Sequence, residues 1–165
     1  MPIHSLLIVS KVSDKLVFSR YFGVEARASK VEKEAFEAKV AQHTRLYWSE
    51  LTQAGGNGQK RRTVCLDSSI VLSFCVVGDL VLYVNGTDDF DEATLVEPGE
   101  TITELLLKLL DMKEASQVRE KDLLEEENKD IYAKLVLGVD ELVGPSGHVE
   151  DLDVSYILRK IKLKT

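Results

Sequence analysis

Cysteine, proline, histidine and tryptophan are all scarce in this 165-residue chain, which holds two, three, three and one of them respectively. Two cysteines, Cys65 and Cys75, cannot supply the dense disulfide framework of a small secreted domain. They are read as a reduced pair on neighbouring strands. The opening MPIHSLLIVSKVSDK has an apolar run but neither a basic leader nor a small-residue cleavage site, so no signal peptide is expected. No run approaches the roughly 20 apolar residues that cross a bilayer. Basic charge is also short: 21 Lys and Arg stand against 28 Asp and Glu, a net charge of −7. Phosphate neutralisation needs a concentrated basic face, so nucleic acid is excluded as a partner.

The chemistry-bearing patterns are missing too. His4, His43 and His148 lie apart, with no i,i+4 partner or neighbouring cysteine, and a metal centre needs several converging ligands. Ser68, Ser69 and Cys75 stand outside any G-x-S-x-G nucleophile turn. The Gly55–Gly58 loop has no following Lys-Ser or Lys-Thr, so it is no phosphate loop. Asp140-Glu141 and the Asp88–Glu92 patch read better as helix-terminal or solvent-facing charge than as catalytic carboxylates. No catalytic residue, metal or cofactor is expected, and the chain is not read as an enzyme.

What is present is the composition of one folded domain over residues 1–165: 44% hydrophobic and 30% charged residues. The most informative stretch is SSIVLSFCVVGDLVLYVNGTDDFDE, where two apolar runs, Ile70 to Val77 and Leu80 to Val84, flank Gly78-Asp79. Glycine relieves the steric penalty of chain reversal, so this is a tight hairpin. The acidic residues after it sit where a helix can begin.

Ile3 to Val9 and Leu16 to Phe22 make a first hairpin around a short polar link, with Leu16, Phe18 and Arg20 on one side and Val17 and Tyr21 on the other. Ser29 is an N-cap with Glu32 as its capping-box partner, opening a helix to about Leu51. Trp48 and Tyr47 near its end are core or interface anchors. Lys60 to Asp67 is a third strand. Pro98-Gly99 breaks the chain before a helix over Thr101 to Met112. Lys121 to Val143 is helical with a break near Asn128, and Asp151 to Lys162 is a last helix with Leu152, Ile157, Leu158 and Ile161 on one face. This is an α+β fold: a five-stranded antiparallel sheet flanked by helices, in the order β-β-α-β-β-β-α-α-α.

HSLLIVSKVSDKLVFSRYF, ending in the basic-aromatic pair Arg20-Tyr21, resembles the first hairpin of adaptor-complex small subunits. SIVLSFCVVGDLVLYVNGTDDFDE resembles their central hairpin and the acidic start of the next helix, and KLVLGVDELV (134–143) resembles a late segment of theirs. The chain is similar to clathrin-adaptor sigma subunits, coatomer zeta and, through its Val-Gly-Asp turn, Phe90-Asp91-Glu92 and the tail ILRKIKLK, most of all to the small subunit of the TSET (TPLATE-type) complex. Each motif alone is common; their order over residues 3 to 163 carries the likeness. Pro98-Gly99, the Gly55–Gly58 loop and an insertion over residues 125–130 depart from the family pattern at helix ends.

The resemblance implies a longin-like (SNARE-like) fold and a structural role in vesicle-mediated transport or endocytosis. The implied partners are a large adaptin-like solenoid subunit, bound directly, with a medium subunit and a second large subunit in the same heterotetramer. The implied location is the cytoplasm, peripheral on the cytosolic face of the plasma membrane or endomembranes. Sigma subunits also read dileucine signals, and the matching positions here are Lys108, Gln117, Val118 and Leu123. Gln117 and Lys108 depart from the asparagine and small apolar residues of signal-binding members, and a lysine in an apolar slot carries a desolvation penalty. Separately, the basic residues Lys60, Arg61, Arg62, Arg159, Lys160 and Lys162 are candidate contacts for an anionic membrane or for acidic grooves on a large subunit. A solvated strand edge and a complemented helix end are the plainer reading. The alternative function is a regulatory longin subunit of a GTPase-exchange or SNARE-type complex; the heptad helix of a SNARE is not expected after Thr165.

Overall fold

The computed structural model describes residues 3–53, 61–67, 69–87, 92–124 and 126–164. β1 (Ile3–Ser10) and β2 (Leu16–Tyr21) are followed by α1 (Lys30–Thr44) and α2 (Trp48–Gln53). Then come β3 (Arg61–Cys65), β4 (Ile70–Val77), β5 (Leu80–Thr87), α3 (Glu92–Leu109), α4 (Lys129–Leu142) and α5 (Val154–Lys164). The five strands form one sheet in the order β2-β1-β5-β4-β3, with every neighbouring pair antiparallel. The expected sheet and element order hold, except that the first helix is divided.

Alternation along the central strands feeds two cores. Leu80, Leu82 and Val84 of β5, with Ile3, Leu6 and Ile8 of β1 and Cys75 and Val77 of β4, face α3, α4 and α5. Leu7, Val9, Leu72, Phe74, Val81 and Tyr83 face α1 and α2, where Val40 and Trp48 cover them. Gly138 lets α4 pass tightly between its neighbours: a Cβ there would lie 2.5 Å from Leu105 Cδ2 and 3.2 Å from Ile161 Cδ1.

Two bulges reset the pattern. One falls between Ile8 and Val9, where Ile8 pairs with Phe18 and Val9 with Leu16. Val17 is the extra residue, so it packs with Phe18 rather than with Tyr21 as alternation suggested. Leu16 is carried to the α1 side, where it lines a groove with Val9, Ala38 and Ala41. The second bulge lies between Ile3 and Ser5. Cys65 and Cys75 are free thiols on neighbouring strands, paired across the ladder with Val71 and Arg61 respectively. That offset is about 13 Å along the strand direction, beyond disulfide reach. The third strand is shorter than expected, and Lys60 and the Gly55–Gly58 loop lie outside the described residues.

Ser29 caps α1 as expected, its Oγ accepting from the Glu32 amide at 3.1 Å. The helix does not run unbroken to Leu51: a 3-10 turn over Arg45–Tyr47 separates α1 from α2. The cause is a buried polar junction. Thr44 Oγ1 donates back to the Val40 carbonyl at 2.8 Å and lies 2.6 Å from the Tyr83 hydroxyl, which also accepts from Trp48 Nε1 at 3.0 Å. Such back-bonding bends helices. Burial pushes the Tyr83 phenol up to about 12, so it stays neutral.

Pro98 does not break the chain; it lies inside α3. An internal proline costs about 3 kcal/mol through its missing amide and ring clash. Burying Leu95, Ile102, Leu105 and Leu106 beneath the same helix contributes about 1.5–3 kcal/mol each and outweighs it. Residues 121–124 and 126–128 are not α-helical: a 3-10 turn covers Glu120–Asp122, and α4 begins after Asn128, where the break was expected. The last helix starts at Val154, leaving Leu152 before it and 38% exposed.

Replacing Tyr83 by Phe removes the buried hydroxyl that bonds both Thr44 Oγ1 and Trp48 Nε1, so stability falls by about 1–3 kcal/mol. A urea midpoint lowered with unchanged m-value tests this; an unchanged midpoint rules out the junction as a stabilising element.

Candidate functional site

The central turn is the point on which the features with functional implication converge. Gly78 has φ +59° and Asp79 does not share that region, the II′ pattern of a two-residue hairpin loop. A segment of two 3-10 turns, Ala115–Gln117 and Glu120–Asp122, is strapped across this turn. The Asp79 amide donates to the Val118 carbonyl at 3.0 Å, Asp79 Oδ2 accepts from the Glu120 amide at 3.1 Å, and the Asp79 carbonyl accepts from the Lys11 amide at 2.9 Å. Ser13 donates to the Glu120 carboxylate, joining the β1–β2 link to the same strap. A Cβ on Gly78 would sit 2.1 Å from the Val118 carbonyl oxygen, so only glycine fits under the strap.

The residues matched to a dileucine pocket lie on this strap and on α3. Val118 and Leu123 are both fully buried in the α3–α5 core. Gln117 is exposed and folds back on the local backbone, its Oε1 accepting from the Glu114 amide at 3.2 Å. Lys108 is half-exposed and pairs with Glu104 at 3.6 Å, one helical turn away. The structure thus brings Val118 and Leu123 into one core and leaves Lys108 and Gln117 in local contacts.

The basic candidates separate into two places. Arg61 is half-buried opposite Cys75, its guanidinium 2.5 Å from where a Gly99 Cβ would stand, beneath α3. Its Nη1 is buried and has no hydrogen-bond partner among the described residues. Burial pushes the Cys75 thiol up, with Arg61 and Thr103 opposing. Arg62 faces the other side of the sheet, its guanidinium 3.9 Å from the Tyr47 ring centroid and 3.6 Å from Glu50. Arg159, Lys160 and Lys162 lie on α5, remote in sequence from this pair.

Acidic residues read as solvent- or partner-facing are held within the chain. Arg20 Nη2 donates to Asp140 at 2.6 Å, joining β2 to α4, and Lys164 donates to Glu141 at 2.5 Å, joining α5 to α4. Asp88 to Asp91 lie outside the described residues, as does Glu125.

His43 Nδ1 lies 2.9 Å from the Lys39 carbonyl near the end of α1, and His148 Nδ1 lies 2.9 Å from Ser146 Oγ in a turn. His4 is largely buried at the second bulge, 2.9 Å from Ser5 Oγ, stacked near Phe36 and 3.6 Å from Glu25. Ser5 Oγ also accepts from Asn85 Nδ2 at 3.0 Å. Beside this cluster, the Tyr21 hydroxyl donates to Glu37 at 2.5 Å. Burial raises the Tyr21 phenol far above its usual range, and the Glu37 bond adds to the effect. Among the described residues no group of three or more His, Cys, Asp or Glu is placed to hold a metal ion. No helix of the described residues is long and apolar enough to cross a membrane.

With this geometry in hand, the class is clear: a five-stranded antiparallel sheet flanked by helices in the longin-like arrangement of adaptor small subunits. No family model matches the chain. It is similar to the TSET complex member tstD of Dictyostelium discoideum, 24% identical over 162 residues spanning 98% of this chain and 93% of that protein. It has the fold of a chain in a homology model of the full-length AP-3 complex in a stretched open conformation, with TM-score 0.64, 15% identity and coverage of 98% of this chain and 92% of that one. The resemblance to adaptor-complex small subunits, TSET-like in particular, extends over nearly the whole chain.

Gly78→Ala forces the strap off the turn or the turn out of register, a strain of about 1–3 kcal/mol. Amide exchange at Asp79 and Glu120 should accelerate; unaltered protection shows that the strap does not depend on this contact. A second expectation concerns pH. Burial lowers the His4 pKa below its usual value of 6.5, with the Glu25 carboxylate opposing. Below that value the unfolded chain binds more protons than the folded one, so stability is complete above pH about 6.5 and falls as the pH drops further. Between about pH 7.5 and about pH 5.5, wild type should lose more urea resistance than His4→Phe; equal losses exclude His4 as the source.

Proposed function

We propose that this chain is the small subunit of a TSET-type heterotetrameric adaptor complex acting in vesicle-mediated transport and endocytosis. It contributes no chemistry. Its work is to stabilise the complex core by binding a large adaptin-like solenoid subunit, with a medium subunit and a second large subunit completing the assembly. It reaches the cytosolic face of the plasma membrane or endomembranes through that complex. The observation that carries this reading is the end-to-end match with tstD, joined to a fold that matches an AP-3 chain over 98% of this one. The exposed apolar residues Val12, Val24, Val31 and Leu46 support it, since they offer surface for a partner to cover.

Within that role, dileucine signals are not read at the Lys108, Gln117, Val118 and Leu123 positions. Val118 and Leu123 are committed to the core, and the Lys108 ammonium would have to be desolvated in an apolar slot.

Affinity purification of the tagged chain from its native cytosol should recover two large subunits and one medium subunit at equal stoichiometry, through an interface of roughly 2,000 Å² or more. A stable partner-free monomer, or stoichiometric recovery of a SNARE or exchange factor, overturns the reading. The purified assembly should show no saturable binding of an acidic dileucine peptide; micromolar binding weakened by Gln117→Ala, with the thermal melt unchanged, restores the signal-reading role.

A further inference from the structure

The solvent face of α5 is unlike the rest of this acidic molecule. Val154, Ile157 and Ile161 are buried, with Leu158 half-buried beside them. On the opposite side Arg159, Lys160 and Leu163 follow Tyr156 by three, four and seven residues, which is one stripe of the helix, and Leu152 lies just before the helix begins. Leu163 is 81% exposed, and Leu152 and Tyr156 are 38% and 37% exposed. The helix carries Arg159, Lys160, Lys162 and Lys164 and no acidic residue, in a chain whose net charge is −7. Lys164 is bound to Glu141, and Lys162 also has a contact within the molecule. Arg159 and Lys160 instead lie over the Tyr156 ring, at 5.9 and 5.3 Å from its centroid.

We infer that this stripe is a docking surface for an anionic lipid bilayer. Three features select a membrane over an acidic groove on a protein. Lysine is depleted from the cores of protein interfaces. Cations flanked by exposed leucine and tyrosine are the composition of helices that lie in the headgroup layer. Tyrosine, apolar in body and polar at its tip, sits at the depth where headgroup meets chain. From Tyr156 to Leu163 the stripe spans about 10 Å of helix, so a plane can touch Tyr156 and Leu163 together with the cations between them. Each basic side chain near an anionic surface strengthens binding roughly fivefold, which makes one copy a weak anchor. Repeated copies on one coat would multiply it. The inference does not require the adaptor assembly, because the surface is complete within this chain.

The test is co-sedimentation of the purified full chain with phosphatidylcholine vesicles, with and without phosphatidylserine. Binding should need phosphatidylserine and weaken with salt. Arg159→Gln with Lys160→Gln should lower the partition coefficient about twenty-five-fold. Leu163→Ser should lower it while leaving the salt dependence intact. Lys30→Gln, at an exposed cation on α1, should change little. Arg159, Leu163 and Lys30 are exposed and Lys160 is partly so, and matching thermal melts establish that the variants are folded. No preference for phosphatidylserine, an unaffected double variant, or an equal loss with Lys30→Gln overturns the proposal. Absent vesicle binding together with protection of α5 from hydrogen exchange in the purified complex assigns the stripe to an acidic protein partner, and also overturns it.

Discussion

The constraint on which this structure depends is the burial of β5 on both faces. Every residue from Leu80 to Gly86 is buried, and each large apolar side chain taken from water contributes about 1.5–3 kcal/mol. A strand of this kind cannot lie at an edge or leave one face to solvent. It has to be central, with β1 and β4 beside it, and each face needs its own cover. The chain meets this demand by placing α1 and α2 before the central hairpin and α3, α4 and α5 after it.

The two covers are unequal. On the α3–α5 side the contacts are almost wholly apolar, with Leu95, Ile102, Leu105, Leu135, Val139 and Ile157 filling the interior. On the other side α1 buries only Val40 and Thr44. There the contact is tied by polar groups: the Tyr83 hydroxyl to Thr44 and Trp48, and the Tyr21–Glu37 bond. Few buried apolar contacts and a handful of hydrogen bonds describe the layer that opens at lower free energy. The exposed apolar residues Val24, Val31 and Leu46 lie on or beside this thinner layer. Under the proposed function, that is where a covering subunit gains most by burial.

What could be read from the residues alone follows from how local each signal is. The β4–β5 hairpin was legible because Gly78-Asp79 interrupts two apolar runs, and Ser29 because a cap is a matter of three residues. The Arg45–Tyr47 turn was not, because it is imposed by Tyr83, far along the chain. Pro98 read as a stop because its cost is local, whereas the burial that overrides it comes from the sheet beneath α3. The partners of Asp140 and Glu141 are Arg20 and Lys164, and no spacing announces either pair. The site was less legible still. Arg61 looked like one of three consecutive basic residues. Its pairing with Cys75 turns it under α3, while the alternation of the strand sends Arg62 to the Tyr47 ring.

The same logic bears on how much surface the strap can offer to a peptide. Val118 has two commitments: its side chain is sealed in the core, and its carbonyl receives the Asp79 amide. Opening a pocket there exposes a large apolar side chain and leaves a turn amide unpaired. The second loss alone costs about 1–3 kcal/mol where water cannot replace the bond. Glu120 and Ser13 would lose partners in the same movement, since both are tied through this turn. A ligand would have to repay all of this before gaining affinity. The strap is therefore better suited to fixing the ends of the central hairpin than to receiving cargo. Among the described residues, the apolar residues around α1 and the cationic stripe of α5 are surfaces that the fold does not use.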